Sequence, residues 1–101
     1  MRFKTARTQI LAAASTREVE RILFDAVGQL DPEELKPLPE DCLAVLANRH
    51  TDIHSAAVTL LHCDMTHRGE QGIGDLLRQL AELYASASVR ISQLNHLAPA
   101  K

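Results

Sequence analysis

The stretch from residue 73 to residue 98 constrains the fold of this chain more than any other. Its apolar residues recur at alternating spacings of four and three, which is the pattern of an α-helix with one continuous apolar seam. At about 1.5 Å per residue this helix would be roughly 39 Å long, so shorter helices could pack along it. The seam consists of Ile73, Leu77, Leu80, Tyr84, Ala87, Ile91, Leu94 and Ala98.

The two flanks of this seam differ in the size of their side chains. Leu76 and Leu83 widen the seam on one side, whereas small residues on the other side would let a second helix approach closely. Val89 lies on the polar face, where nothing else in the chain explains an apolar side chain. We therefore predict that the final helix also forms a self-association surface. The predicted surface consists of Ala81, Tyr84, Ala85, Ser88, Val89 and Ser92.

Length and composition favour one small helical domain over residues 1–101. Hydrophobic residues make up 46% of the chain and aromatic residues only 3%, as expected for helices packed on helices. No alternation of polar and apolar residues persists long enough to indicate a strand. The sequence therefore predicts an all-α fold, a compact bundle of four or five helices with the long C-terminal helix as its spine.

The first part of the chain contains two apolar faces that point in nearly opposite directions. One belongs to residues 3–14 and the other to residues 16–30, so either one long helix packs on two sides or the helix breaks between them. Ser15 followed by Glu18 is the pattern of a capping box. We therefore favour a break, with a second helix that begins at Thr16.

Prolines mark the boundaries that follow. Pro32 ends the second helix and can begin a single further turn, while Pro37 and Pro39 exclude a long regular element across residues 36–39. A third helix can begin at Pro39, and a fourth can be capped by Asp52 or Thr51 and end at Gly69. The predicted core stripe of the fourth helix is Ile53, Ala56, Ala57, Leu60, Leu61 and Met65.

The charge distribution argues against a nucleic-acid-binding protein. The formal charge is −2 and the pI is near 6.2, although residues 1–21 are locally basic and residues 25–41 locally acidic. The helix pair at 39–67 has the length of a helix-turn-helix, so a small DNA-binding regulator is one alternative. Its second helix carries no Arg or Lys, however, and only Arg49 and Arg68 flank that helix.

Cysteine usage favours a reducing compartment. Cys42 and Cys63 are too few for a disulfide framework, and each lies beside apolar residues, where a free thiol behaves as a small hydrophobic group. The chain has no apolar run of about 18 residues that could cross a membrane. We therefore expect a cytoplasmic protein with no membrane contact.

A cluster of imidazole and thiol groups raises the possibility of a metal site. Four of the five histidines fall within eighteen residues, and two pairs of donors have the spacing of one helical turn. The groups do not converge on one point of a single helix, so a site would need donors from another helix or another subunit. A metal-binding bundle is therefore an alternative. Its candidate ligands are His50, His54, His62, Cys63 and His67.

The sequence offers little support for catalysis. A nucleophile needs a partner that activates it, and the only candidates are Cys63 with His67, or a phosphorylated histidine at His54 or His62. The residues after His62 lack the lysine and glycine found around the histidine of phosphotransfer domains. We expect a module that binds another protein, either a second copy as a homodimer or another helical protein, with no catalytic activity and no cofactor.

Overall fold

The computed structural model describes residues 3–48, 52–67 and 73–97, and over these ranges the chain forms six α-helices and no strand. This confirms the predicted all-α bundle. Five of the helices are those expected from the apolar patterns, and α3 is the single turn expected at Pro32. The helices are α1 (Lys4–Ala12), α2 (Thr16–Gly28), α3 (Pro32–Leu35), α4 (Glu40–Ala47), α5 (Ile53–Thr66) and α6 (Gly74–Leu97).

The long helix α6 is the spine of the bundle, as predicted. Helices α1, α2 and α5 all pack on α6, most extensively α5, while α4 packs on α5. The apolar seam accounts for this, because Leu77, Leu80 and Ala87 are fully buried and Tyr84 is 2% exposed. Asp75 in the first turn and His96 in the last turn also suit the helix dipole.

The predicted break between α1 and α2 is confirmed. Ser15 has an extended backbone, and its hydroxyl oxygen accepts a hydrogen bond of 3.1 Å from the backbone N–H of Glu18. The Glu18 carboxylate in turn accepts a hydrogen bond of 3.2 Å from the backbone N–H of Ala14. This break lets Ile10 of α1 and Val19 of α2 both reach the core, where each has no exposed surface.

A guanidinium group fixes the end of α1 on α6. The Ala13 carbonyl, at the C-terminal cap of α1, accepts hydrogen bonds from Arg90 Nε at 2.9 Å and Arg90 Nη2 at 2.8 Å. One turn from the start of α1, Arg7 forms an ion pair of 3.6 Å with Glu82. Arg7 precedes Ala13 along α1, and their partners Glu82 and Arg90 follow the same order along α6. Helix α1 therefore runs parallel to α6.

The predicted core stripe of α5 is partly wrong. Ile53, Ala56, Ala57 and Leu60 are buried as predicted, but Leu61 is 42% exposed and Met65 is 67% exposed. Cys63 and Asp64 occupy the buried side in their place. The reason is that α4 and α6 cover only one side of α5, and Leu61 lies about 100° around the helix from Leu60. The predicted helix end at Gly69 and the seam residue Ala98 lie outside the described residues.

The start of α5 is capped by Asp52, one of the two caps predicted, while the other, Thr51, lies outside the described residues. The Asp52 carboxylate oxygen Oδ2 accepts hydrogen bonds from the backbone N–H of Ser55 at 3.1 Å and from its hydroxyl at 3.3 Å. This satisfies one of the free N–H groups at the helix N-terminus.

We expect Arg90 to contribute more to folding stability than a surface arginine of the same helix. Arg90→Ala removes both hydrogen bonds to the Ala13 carbonyl and should lower the free energy of unfolding by about 1.5 kcal/mol. The matched control is Arg78→Ala, because the partner of Arg78 among the described residues is the exposed Asp75 at 3.1 Å. It should cost less than about 0.5 kcal/mol. Urea unfolding followed by circular dichroism measures both values, and equal losses would contradict this role for Arg90.

Candidate interaction surface

Helices α5 and α6 form an antiparallel hairpin. The end of α5 at Thr66 leads after a short connection to the start of α6 at Gly74, while the start of α5 lies beside the later part of α6. There, His54 Nδ1 and Ser88 Oγ are 3.2 Å apart, within hydrogen-bond distance. The outer surface of this hairpin contains both the accessible residues of the predicted surface and two of the four predicted metal ligands that the structure describes, His54 and His62.

The structure divides the predicted self-association surface between the core and the solvent. Ala81 is 1% exposed and Tyr84 is 2% exposed, so both belong to the core of the chain itself. Ala85 and Ser88 are half-buried, while Val89 is 51% exposed and Ser92 is also exposed. The close approach expected from small residues is therefore made by α5 of the same chain. Only the outer part of the predicted surface is free to contact another molecule.

The outer face of α5 is the main feature that sequence reasoning missed. Val58 is 53% exposed, and Leu61 and Met65 are also exposed. Together with His54 they recur at spacings of four, three and four, the same spacing as the buried seam of α6. We call these four residues the outer seam of α5.

The outer face of α5 also lacks charged groups. The only residue of α5 with a formal charge at neutral pH is Asp64, and its side chain is 7% exposed. By contrast, α2 exposes Arg17, Glu20, Arg21 and Asp25. Helices that face water usually carry charged residues on their outer side. The absence of Lys, Arg and Glu from α5 is the sequence signal that could have revealed this face.

The described metal candidates do not form one site. His54 and His62 are both exposed, but eight residues of helix separate them by about 12 Å. Cys63 is buried, and His67 caps the C-terminus of α5. Over residues 3–48, 52–67 and 73–97, no group of three or more His, Cys, Asp or Glu side chains could hold a metal ion. His50 lies outside the described residues.

The two cysteines are buried thiols. Burial, with a smaller contribution from the neighbouring Cys63, raises the pKa of Cys42 from its ordinary 9.0 to about 12. Burial also raises the pKa of Cys63, with a smaller contribution from Asp41. The thiolate is the form that attacks substrates and binds metals, so these shifts disfavour both roles at neutral pH.

The helix pair considered for DNA binding is present as α4 and α5, but α5 offers no Lys or Arg to a phosphate or a base. Arg49 and Arg68 lie outside the described residues. Among the helices that the structure describes, none has the length and apolar character needed to cross a bilayer.

Comparisons of this chain with protein-family models, with curated protein sequences and with solved structures gave no match.

We expect the buried thiol of Cys42 to make folding stability fall in alkaline solution. It ionises near pH 9.0 in the unfolded chain but near 12 in the fold, so its stabilising effect is complete below pH 9 and is lost as the pH rises toward the folded pKa. Between pH 8 and pH 10 it should account for a loss of about 1.4 kcal/mol.

Urea unfolding at pH 8, 9 and 10 measures this dependence. The matched variant Cys42→Ala removes the ionising group, so its free energy of unfolding should fall less steeply with pH than that of the original chain. If the two proteins show the same slope over this range, Cys42 is not the group responsible.

Proposed function

We propose that this protein is a helical protein–protein interaction module that associates with a second copy of itself as a homodimer and has no catalytic activity. The observation that supports this most is the exposure of three large apolar side chains on one face of α5, Val58, Leu61 and Met65. Leaving such an apolar face in water costs free energy. Burying the face against a partner removes this cost, which supports a function in binding.

The exposed face is contiguous and not a scatter of single residues. Apolar residues exposed one at a time are normal on protein surfaces, whereas contiguous apolar patches mark sites of association. The outer seam of α5 begins beside the accessible part of the predicted α6 surface, because His54 at its start contacts Ser88. The hairpin therefore offers one surface, with α5 supplying the larger side chains and Val89 supplying a further apolar group.

A second copy is the partner proposed because association about a two-fold axis requires a surface that fits itself. An uncharged apolar face meets this requirement, since two copies can approach without burying like charges. Another helical protein could bind the same surface. It would then have to compete with this self-association.

The proposal is tested by the native molar mass at different salt concentrations. Sedimentation velocity between about 1 and 100 μM should show a concentration-dependent rise from 11.1 kDa toward twice that mass. Because apolar contacts are not screened, 1 M NaCl should not weaken the association.

Two outcomes of this measurement would count against the proposal. A mass of 11.1 kDa at every concentration would exclude self-association in this range. An association that disappears in 1 M NaCl would instead indicate contacts between the basic residues 1–21 and the acidic residues 25–41 of different copies. The apolar hairpin surface would then not be the site of contact.

A further inference from the structure

We infer that α5 lies on the two-fold axis of the dimer and pairs in antiparallel orientation with α5 of a second copy, through the outer seam His54, Val58, Leu61 and Met65. This inference rests on the proposed self-association and adds the helix, the orientation and the facing residues. It differs from the interface predicted from sequence, which placed α6 at the centre.

The spacing of the outer seam indicates that its partner is a helix. At about 100° per residue, spacings of four, three and four confine these four side chains to an arc of about 60° along α5. Such a narrow seam is what knobs-into-holes packing between two helices requires. The comparable seam of α6 is already covered within the chain, since Leu77, Leu80 and Ala87 are fully buried. The seam of α5 has no such cover among the described residues.

The outer seam is complementary to itself in the antiparallel orientation. The midpoint of α5 (Ile53–Thr66) lies between Thr59 and Leu60. Val58 and Leu61 are equally far from this point, and so are His54 and Met65. A two-fold axis at the midpoint therefore places Val58 opposite Leu61 of the second copy, and His54 opposite its Met65. Each contact then forms twice.

The absence of charged residues from the outer seam favours a second copy as the partner over a helix whose outer face is charged. The pairing brings together no Lys, Arg, Asp or Glu, because Asp64 is on the buried side of α5. A partner helix with an outer face like that of α2 would instead place Arg17, Glu20 or Arg21 against apolar side chains and desolvate them, and the outer seam offers them no counter-charge. The outer face of α5 avoids this desolvation cost when the facing surface is also uncharged, as the outer face of α5 of a second copy is.

The experiment exchanges charges between the two residues that face each other. Val58→Glu and Leu61→Lys each place a charge in an apolar contact, so each variant alone should weaken dimerisation by about 100-fold and sediment at 11.1 kDa at 50 μM. An equimolar mixture of the two variants should regain the dimeric mass. In the mixed dimer, Glu and Lys face each other on one side of the axis, and the original Val58 and Leu61 face each other on the other.

The controls separate this inference from the proposed function. Leu11→Glu changes an apolar residue of similar exposure, 45%, on α1 and outside the hairpin, and should alter the dissociation constant by less than about threefold. Circular dichroism should show unchanged helicity for all variants, since each replaced side chain is about half exposed. If Val58→Glu or Leu61→Lys loses helicity, Met65→Lys at 67% exposure replaces it and should also yield the monomer.

Two results would overturn the inference while the proposed self-association stands. One is a dimer that tolerates Val58→Glu and Leu61→Lys but is lost in Val89→Glu, which would place α6 at the axis. Another is a mixture of the two charged variants that remains monomeric, which would exclude the antiparallel pairing of residues 58 and 61. If the original chain is monomeric throughout, both the inference and the proposed function fail.

Discussion

The close packing of α5 on α6 is the contact on which the rest of the structure depends. Small side chains make it possible, because Ala81 is almost fully buried and Ser88 lies within hydrogen-bond distance of His54. Leu60 of α5 and Leu77 of α6 are both fully buried in the shared core. This contact uses one side of α5 and leaves the other side in water, so the same geometry that completes the core also creates the exposed seam.

The remaining helices cover other sides of the core and leave this face open. The break at Ser15 turns the chain so that α1 and α2 each pack on α6, and Arg90 holds the end of α1 in place through the Ala13 carbonyl. Helix α4 covers the side of α5 that carries Cys63. These contacts complete most of the core of this 101-residue chain. Val58, Leu61 and Met65 remain exposed.

Sequence reasoning predicted the spine, the break at Ser15 and the caps because these depend on local spacing and local hydrogen bonds. It failed for Leu61 and Met65 because periodicity shows that a side of a helix is apolar but not which neighbour covers it. Helix α5 has two apolar sides, and only tertiary packing shows that the one with Leu60 faces inward. Tyr84 and Ala81 were assigned to an interface for the same reason, since buried and self-associating surfaces have the same composition. The candidate metal ligands show a further limit, because spacing along one helix does not reveal what another helix contributes.

The most direct test of the account is to observe contacts between copies at the outer seam of α5. An equimolar sample of uniformly ¹³C-labelled and unlabelled protein allows isotope-filtered nuclear Overhauser effects to report only contacts between different molecules. The account predicts such effects between the methyl groups of Val58 in one copy and those of Leu61 in the other. Intermolecular effects that involve Val89 but not these two residues, or none at a concentration where the protein is dimeric by sedimentation, would contradict it.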